Sequence, residues 1–229
     1  MKILCTICAR GNSKGLKNKN IKKINSIPLL KYTIDHAIQS KIFDEIVISS
    51  DDKKIIMLSR KYGIKETIVR PRYLATDKSG KLAAIKHAVE TTEEKLKKKY
   101  DIIIDLDVTS PLRNIQDIKN AFNLFLKSKA NILMSATPSR KNPYFNQVIQ
   151  KSNGVKLVKP KTKYLRRQDA PNVYDLNASI YIYSRNVLLK TNTIFTKNSI
   201  LYIMPEERSI DIDSINDFNY VEYLMKKNK

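Results

Sequence analysis

The sequence predicts an α/β fold with a doubly wound, mostly parallel sheet, and three observations lead to that prediction. Short runs of apolar and β-branched residues recur along the chain, and the first covers residues 3–9. Such unbroken runs are typical of strands buried on both faces. Segments with apolar residues at helical spacing separate the runs, and this alternation favours parallel strands joined by helices. The 229 residues, 42% of them hydrophobic, are enough for one domain with a real core.

The individual elements follow from the same patterns. Strands are predicted at residues 3–9, 45–50, 65–70, 101–108, 132–136, 179–183 and 200–204. Helices are predicted at 30–38, 51–61, 82–96, 115–125 and 214–225. Pro28 stands at the entry to the first helix, Gly63 follows the second, and Ser214 with Asp217 makes a capping-box start to the last.

The alternation of strands and helices breaks between residues 138 and 172. This segment is basic, contains several prolines and carries two short β-like pieces, at 145–150 and 155–158. We therefore predict a single domain over residues 1–229, with residues 138–172 forming an inserted arm.

The net charge of +21 comes from 43 Lys and Arg against 22 Asp and Glu. Such an excess suits a polyanionic partner, so a basic nucleic-acid-binding protein is one alternative. The lysines are spread along the whole chain, however, without an arginine-rich arm. We read the excess mainly as solvated lysine and expect no nucleic-acid partner.

The sequence predicts neither a membrane span nor a disulfide. No apolar run approaches the roughly twenty residues that a spanning helix needs, and the first residues do not resemble a signal peptide. Cys5 and Cys8 lie an odd number of residues apart on one predicted strand, so their side chains point to opposite faces and cannot pair. Core packing is their expected role, although a CxxC pair is also found in redox and zinc sites. A reducing cytoplasm fits these features.

A basic loop follows the first predicted strand. Two glycines allow its backbone to expose N–H groups, and four cations surround it: Arg10, Lys14, Lys17 and Lys19. A buried strand that leads into such a loop makes an anion site at the carboxyl end of a sheet. The alternative is a solvated basic loop.

Two pairs of aspartates point to metal or ligand binding. Asp211 and Asp213 alternate along an extended segment, so both side chains point the same way and a cation between them would relieve their repulsion. Mg²⁺ takes such oxygen ligands together with substrate phosphates; a solvated strand end is the alternative. Asp105 and Asp107 form a similar pair at the end of the fourth strand. Asp107 is nearer the crevice and could bind metal or a ligand, whereas Asp105 is expected to be structural.

Three further stretches and two histidines are candidates for a role in the site. Thr109–Arg113 and Arg70–Asp77 form rigid turns at the rim, and Arg166 to Gln168 in the arm offers forked donors for a carboxylate. Each stretch is equally compatible with an ordinary surface loop. His36 and His87 are expected on helix faces rather than in catalysis.

Taken in order, these stretches resemble the motifs of the CMP-sialic acid synthetase (acylneuraminate cytidylyltransferase) family. The resemblance covers essentially the whole chain and lies in residues 9–16 with Lys19 and Asn20, then 70–77, 109–113, 177–182 and 209–213. It implies a Rossmann-like nucleotidyltransferase fold and an enzyme that couples CTP to a nine-carbon 2-keto sugar acid with release of pyrophosphate. It also implies Mg²⁺ as cofactor and a cytoplasmic homodimer, in which the arm of one subunit completes the sugar site of the other.

The resemblance also assigns roles to individual residues. The nucleotide site would comprise Arg10, Asn12, Ser13, Lys14, Lys19, Arg70, Lys81 and Asp107. The sugar acid would meet Thr109, Ser110, Arg167, Gln168 and Asn177. Asp211 and Asp213 would hold the metal, and Arg10, Lys19 and Asp211 would act in catalysis.

Three departures set the chain apart from the sialic acid branch. Asp107 stands where that branch has glutamine, Lys81 falls where a small hydroxyl residue is usual, and Tyr174–Leu176 replaces an arginine-containing run. The combination looks more like the branch that acts on legionaminic acid, so N,N′-diacetyllegionaminic acid is the expected substrate. The alternatives are a CMP-N-acetylneuraminate synthetase and, more remotely, a glycosyltransferase with its metal at Asp105 and Asp107.

Overall fold

The computed structural model describes residues 1–11, 15–77, 79–160, 164 and 166–227. The strands are β1 (Ile3–Cys8), β2 (Lys23–Ile24), β3 (Ile27–Pro28), β4 (Glu45–Ser50), β5 (Glu66–Val69), β6 (Ile102–Leu106), β7 (Ile132–Pro138), β8 (Val148–Lys151), β9 (Gly154–Leu157), β10 (Tyr174–Ser184) and β11 (Ser199–Ile203). Seven of them form the central sheet, in the order β11-β7-β10-β6-β1-β4-β5. The helices are α1 (Leu29–Ser40), α2 (Lys53–Lys61), α3 (Lys81–Leu96), α4 (Ile115–Lys127), α5 (Arg185–Lys190) and α6 (Ile215–Lys227).

The predicted alternation of strands and helices is confirmed, and so are the helix ends that depend on local chemistry. Asp52 caps α2 by accepting a hydrogen bond from the backbone N–H of Lys54, and Gly63 follows that helix with a φ of +89°. Ser214 and Asp217 exchange the hydrogen bonds of a capping box at the start of α6.

The sheet is mostly parallel, with one reversed strand. β4 and β6 run parallel to β1, β5 runs parallel to β4, and β11 runs parallel to β7. β10 lies antiparallel between β6 and β7. It begins at Tyr174, five residues before the predicted start, because its first residues pair with the end of β7. The sequence prediction also missed the short helix α5.

Both faces of the sheet are covered by helices, which is the doubly wound arrangement. One apolar cluster packs α1 and α4 against the sheet through residues such as Leu30 and Phe122. A second cluster packs α3 and α5 against it through Val89 and Leu188. Cys5 lies in the first cluster and Cys8 at the end of β1, and both are free thiols, as predicted.

The segment between β7 and β10 lies outside the central sheet, and its two ends are adjacent in that sheet. Pro138 at the end of β7 lies opposite Tyr174 at the start of β10. Between them, β8 and β9 pair as a separate antiparallel hairpin. Seven of its eight strand residues are exposed, including the apolar Val148, Ile149 and Val155. The hairpin overlaps the two predicted β-like pieces, with boundaries shifted by up to three residues.

The turn after β6 is fixed by a buried arginine. Arg113 is 1% exposed and donates hydrogen bonds to the carbonyl oxygens of Asp107 and Ser179 and to Oγ1 of Thr33. These bonds tie the end of β6 to β10 and α1. Burial lowers the pKa of Arg113 to about 10, which leaves the guanidinium charged at neutral pH.

Within the residues described, no helix is both long and apolar enough to cross a membrane.

Candidate active site

A cavity of about 360 Å³ opens at the carboxyl ends of the parallel strands. Ligands of open α/β sheets bind at this edge. Eight of the residues that the sequence analysis selected line the cavity: Arg10, Lys19, Arg70, Lys81, Asp107, Thr109, Asp211 and Asp213. The fold therefore brings the basic loop, the rim turns and both acidic segments to one place. Asn12, Ser13 and Lys14 lie outside the described residues.

The basic loop after β1 is anchored on both sides by close contacts. The backbone N–H of Gly11 donates to the Asp51 carboxylate at 2.9 Å, and the Asn20 side-chain amide donates to the Arg10 carbonyl oxygen at 2.8 Å. A Cβ atom at Gly15 would overlap the carbonyl oxygen of Asp213. Only glycine allows this approach, which places the loop directly against the acidic segment.

Of the three cations of this loop that the structure describes, Arg10 and Lys19 are paired with carboxylates. Arg10 donates to Asp77 at 2.7 Å, and Lys19 donates to Asp213 at 2.8 Å. The ion pairs are partly exposed, so each is held only weakly in water. An incoming phosphate could therefore compete with Asp77 and Asp213 for these two cations.

Lys81 occupies the space between the paired aspartates of β6 and its following turn. Its Nζ atom lies 2.8 Å from Asp105 and 2.6 Å from Asp107. The second Asp105 oxygen accepts from the Thr6 hydroxyl at 2.8 Å. The second Asp107 oxygen accepts from both the backbone N–H and the hydroxyl of Thr109. Despite its burial, Asp107 has its pKa lowered to about 2, chiefly by Lys81 and then by Thr109.

Asp211 is the carboxylate in the cavity whose charge is least compensated. Burial raises its pKa to about 6, and the nearby Asp107 and Asp213 add to the shift. Its Oδ1 atom is buried and has no hydrogen-bond partner among the described residues. A bound cation would satisfy that oxygen and offset the repulsion, so the Asp211 and Asp213 carboxylates fit Mg²⁺.

The donor set that the protein offers to a metal is small. No group of three or more His, Cys, Asp or Glu side chains in the described part of the chain is placed to hold a metal ion. Mg²⁺ commonly binds through one or two carboxylates and fills its remaining positions with waters and substrate phosphates. The two aspartates match that mode and do not match an all-protein metal cage.

Arg70 reaches the cavity from the end of β5. It is almost fully buried, and its guanidinium donates to the hydroxyl of Ser49 at 3.1 Å and to the Ser49 carbonyl oxygen at 2.7 Å. These bonds fix the plane of the guanidinium group. Leu74 and Ala84 also line the cavity and provide apolar surface.

Four predicted substrate residues lie away from this cavity. Ser110 and Asn177 are buried; the Ser110 hydroxyl donates to the Asn177 carbonyl oxygen, and the Asn177 side-chain amide bonds to Ser135 and Ser209. Arg167 and Gln168 line a second cavity of about 540 Å³ beside the arm. Their proposed contacts with the sugar acid remain predictions.

The structure adds three residues to the site that the sequence analysis did not select. Asp77 and Asn20 line the cavity and hold Arg10, and Arg113 fixes the turn that carries Asp107 and Thr109. All three stood inside or beside recognised motifs. The sequence does not show which residues they contact, since partners such as Arg10 and Asp77 are far apart in the chain.

Comparisons with known proteins agree with the geometry. A sequence model of the family described as cytidylyltransferase matches residues 4–229. The chain is 45% identical to "CMP-N,N′-diacetyllegionaminic acid synthase" of Campylobacter jejuni, over 97% of this chain and 94% of the relative. It is also 45% identical to "Post-translational flagellin modification protein B" of Campylobacter coli, over 98% and 95% of the two chains.

Among solved structures, a CMP:2-keto-3-deoxy-manno-octonic acid synthetase complexed with CTP superposes with a TM-score of 0.75. The superposition covers 100% of both chains, at 16% identity. This likeness confirms the Rossmann-like nucleotidyltransferase fold.

The close contact at Gly15 gives a direct test of the loop. We expect Gly15→Ala to weaken CTP binding by at least about tenfold, because the added methyl group pushes the loop away from Asp213 and misplaces its cations. Titration calorimetry with CTP and Mg²⁺ measures this. The loop supports little of the core, so the thermal unfolding midpoint should hardly change. An unchanged CTP affinity would show that the loop does not contact the nucleotide.

Proposed function

The chain belongs to the cytidylyltransferase family, and we propose that it couples CTP to N,N′-diacetyllegionaminic acid, a nine-carbon 2-keto sugar acid, giving the CMP-sugar and pyrophosphate. The observation that supports this most is the single cavity that joins the glycine-containing cationic loop to the Asp211 and Asp213 carboxylates. A nucleoside triphosphate and its metal need that combination. The 45% identity to a protein named for the legionaminic acid reaction supports the choice of sugar.

The reaction requires an in-line attack on the α-phosphate of CTP. The anomeric hydroxyl oxygen of the sugar acid bonds to the α-phosphorus, the bond from that phosphorus to the bridging oxygen breaks, and pyrophosphate leaves while the hydroxyl loses its proton. Arg10 and Lys19 would exchange Asp77 and Asp213 for phosphate oxygens and so offset the negative charge that builds on the leaving group.

Mg²⁺ is part of the proposal. Asp211 and Asp213 would hold it beside the triphosphate, and the ion, when bound, neutralises phosphate charge and orients the reacting groups. Lys19 pairs with Asp213 and so connects the basic loop to the metal carboxylates. Arg70, with its guanidinium fixed by Ser49, would contact the nucleotide at the other side of the cavity.

The remaining substrate contacts are proposed for the arm. Arg167 and Gln168 would meet the carboxylate of the sugar acid in the partner subunit of a homodimer. The exposed apolar side chains of the hairpin give the arm a surface that a second subunit could cover. A cytoplasmic location is proposed as well, since two free thiols suit a reducing compartment.

The glycosyltransferase alternative loses its metal site in this structure. It required a cation between Asp105 and Asp107, and the ammonium group of Lys81 lies within 2.8 Å of both carboxylates. N-acetylneuraminate remains the alternative sugar acid, because the two substrates share a carboxylate and a nine-carbon frame.

The sugar acid can be identified by competition between these two substrates. We expect kcat/KM for N,N′-diacetyllegionaminate to exceed that for N-acetylneuraminate by about tenfold or more, the scale at which a pocket separates related groups. Pyrophosphate release under saturating CTP and Mg²⁺ measures both. Equal or reversed preference would indicate a sialic acid enzyme, and no release with either sugar would reject the proposed function.

The metal site can be tested at Asp211. We expect Asp211→Asn to lower turnover by at least about a hundredfold, the scale of losing one strong electrostatic contact in the transition state. Mn²⁺ binding in the presence of CTP, measured by electron paramagnetic resonance, should weaken in parallel. Asp35→Asn is the matched control, because Asp35 pairs with Lys31 on α1 outside the cavity. Full activity and unchanged Mn²⁺ binding in Asp211→Asn would remove this carboxylate from the metal site.

The homodimer can be tested by sedimentation at micromolar concentration. We expect about twice the chain mass of 26.4 kDa. Val155→Glu on the exposed hairpin should raise the monomer fraction, since it places a charge in the proposed apolar contact. Val69→Glu, at an exposed position on β5 outside the arm, is the matched control. A fully active wild-type monomer would contradict a sugar site shared between subunits.

A further inference from the structure

Lys81 and Asp107 both line the cavity, and their side chains are engaged with each other. Lys81 begins α3, whereas Asp107 follows β6, so the contact joins a helix start to the carboxyl end of the sheet. The Lys81 ammonium group has three N–H donors, and the carboxylates of Asp105 and Asp107 lie within 2.8 Å of it. It also lies 5.3 Å from the centre of the Tyr181 ring. Lys81 is therefore already committed to protein partners.

The two carboxylates that Lys81 joins differ in their access to the cavity. Asp105 is fully buried, and its other oxygen is occupied by the Thr6 hydroxyl. The Asp107 side chain is 18% exposed and lines the cavity. Thr109 and Lys81 supply three donors to its two oxygens, and a carboxylate has about four lone-pair sites. Asp107 thus keeps the capacity to accept one further hydrogen bond from the cavity.

We propose that Lys81 is a positioning residue that fixes the Asp107 carboxylate as a hydrogen-bond acceptor, and that Asp107 selects substrates by a hydroxyl or N–H donor. This rests on the proposed function, because the donor belongs to one of its two substrates. A hydroxyl of the ribose of CTP and a hydroxyl or amide group of the sugar acid share the required chemistry.

The charge arrangement explains why the lysine is needed. Without its ammonium group, the carboxylates of Asp105 and Asp107 would face each other across the space that it fills, and their repulsion would turn Asp107 out of position. A neutral residue at 107 removes that repulsion. The effects of changing Lys81 and Asp107 should therefore not add, which is the signature of two residues that act as one unit.

The experiment compares four variants: Lys81→Met, Lys81→Arg, Asp107→Asn and Lys81→Met/Asp107→Asn. Two discrimination ratios are measured for each, kcat/KM for CTP over dCTP and kcat/KM for N,N′-diacetyllegionaminate over N-acetylneuraminate, together with the thermal unfolding midpoint. dCTP lacks one ribose hydroxyl and so removes a donor on the nucleotide. Lys86→Met is the matched control, because Lys86 lies on the same helix and donates to Asn192 outside the cavity.

We expect Lys81→Met to lower one of the two ratios by at least about tenfold, since a site built for a hydroxyl loses its selectivity when the acceptor moves. Asp107→Asn should lower the same ratio, the double variant should be no worse than Lys81→Met alone, and Lys81→Arg should restore part of the loss. A change in the CTP ratio places the donor on the nucleotide, and a change in the sugar ratio places it on the sugar acid. Both outcomes support the proposal.

Unchanged ratios in a folded Lys81→Met variant overturn it, and so do losses in the two single variants that simply multiply in the double variant. A lowered unfolding midpoint with unchanged ratios assigns Lys81 a structural role only, which also overturns it. Should the wild-type protein show no activity with either sugar acid, the proposed function fails instead. In that case the thermal unfolding midpoints of the single and double variants still test, without any activity measurement, whether Lys81 and Asp107 act as one unit.

Discussion

The buried guanidinium of Arg113 is the interaction on which the site depends. A buried charge needs acceptors for its donors, and the two terminal nitrogens of this guanidinium bond to the end of β6, to β10 and to α1. Its Nε atom is buried without a hydrogen-bond partner among the described residues. The chain between Asp107 and Arg113 is therefore held against three different elements. That turn sets the positions of Asp107 and Thr109. The carbonyl oxygen of Thr109 accepts a hydrogen bond from the backbone N–H of Ile212, next to Asp211.

The second constraint is the close approach of the two ends of the chain. Gly15 lies against the backbone of Asp213, almost two hundred residues later, and Lys19 forms an ion pair with the same aspartate. The loop and the acidic segment therefore pack directly against each other. Because an i, i+2 pair of carboxylates on its own would repel, the cationic loop also stabilises the segment in the absence of a metal.

The elements that the sequence predicted well are those encoded locally. The buried runs of β1, β4 and β6 and the caps of α2 and α6 depend on neighbouring residues, so pattern and capping chemistry were enough to find them. The direction of β10 was not predictable, because an apolar run has the same pattern in either direction. Its early residues, beginning at Tyr174, are exposed and gain their strand conformation from pairing with β7.

The same distinction applies to the site: the sequence identified most of its residues but not the contacts between residues that are distant in the chain. The motifs contain six of the eight selected cavity residues, and the parallel strands that these motifs follow end at the same edge of the sheet. The sequence did not reveal which of them bind one another. Lys81 and Asp107 were noted as two separate departures from the sialic acid branch, and the structure shows them in direct contact at 2.6 Å. The two departures therefore form one ion pair, which only the folded structure reveals.

The charge of the cavity lining differs from the net charge of the whole chain, and the lining is the better guide to the ligand. The chain carries +21, but the described residues that line the cavity include four basic side chains, Arg10, Lys19, Arg70 and Lys81, and four acidic ones, Asp77, Asp107, Asp211 and Asp213. The described lining is thus formally neutral, and Asp105 lies directly beneath it. Binding of a nucleic acid needs a patch of positive charge, and this balanced lining is not such a patch. A balanced lining, in which the buried Oδ1 atom of Asp211 has no hydrogen-bond partner among the described residues, instead favours a ligand that brings its own cation, as a metal-bound triphosphate does.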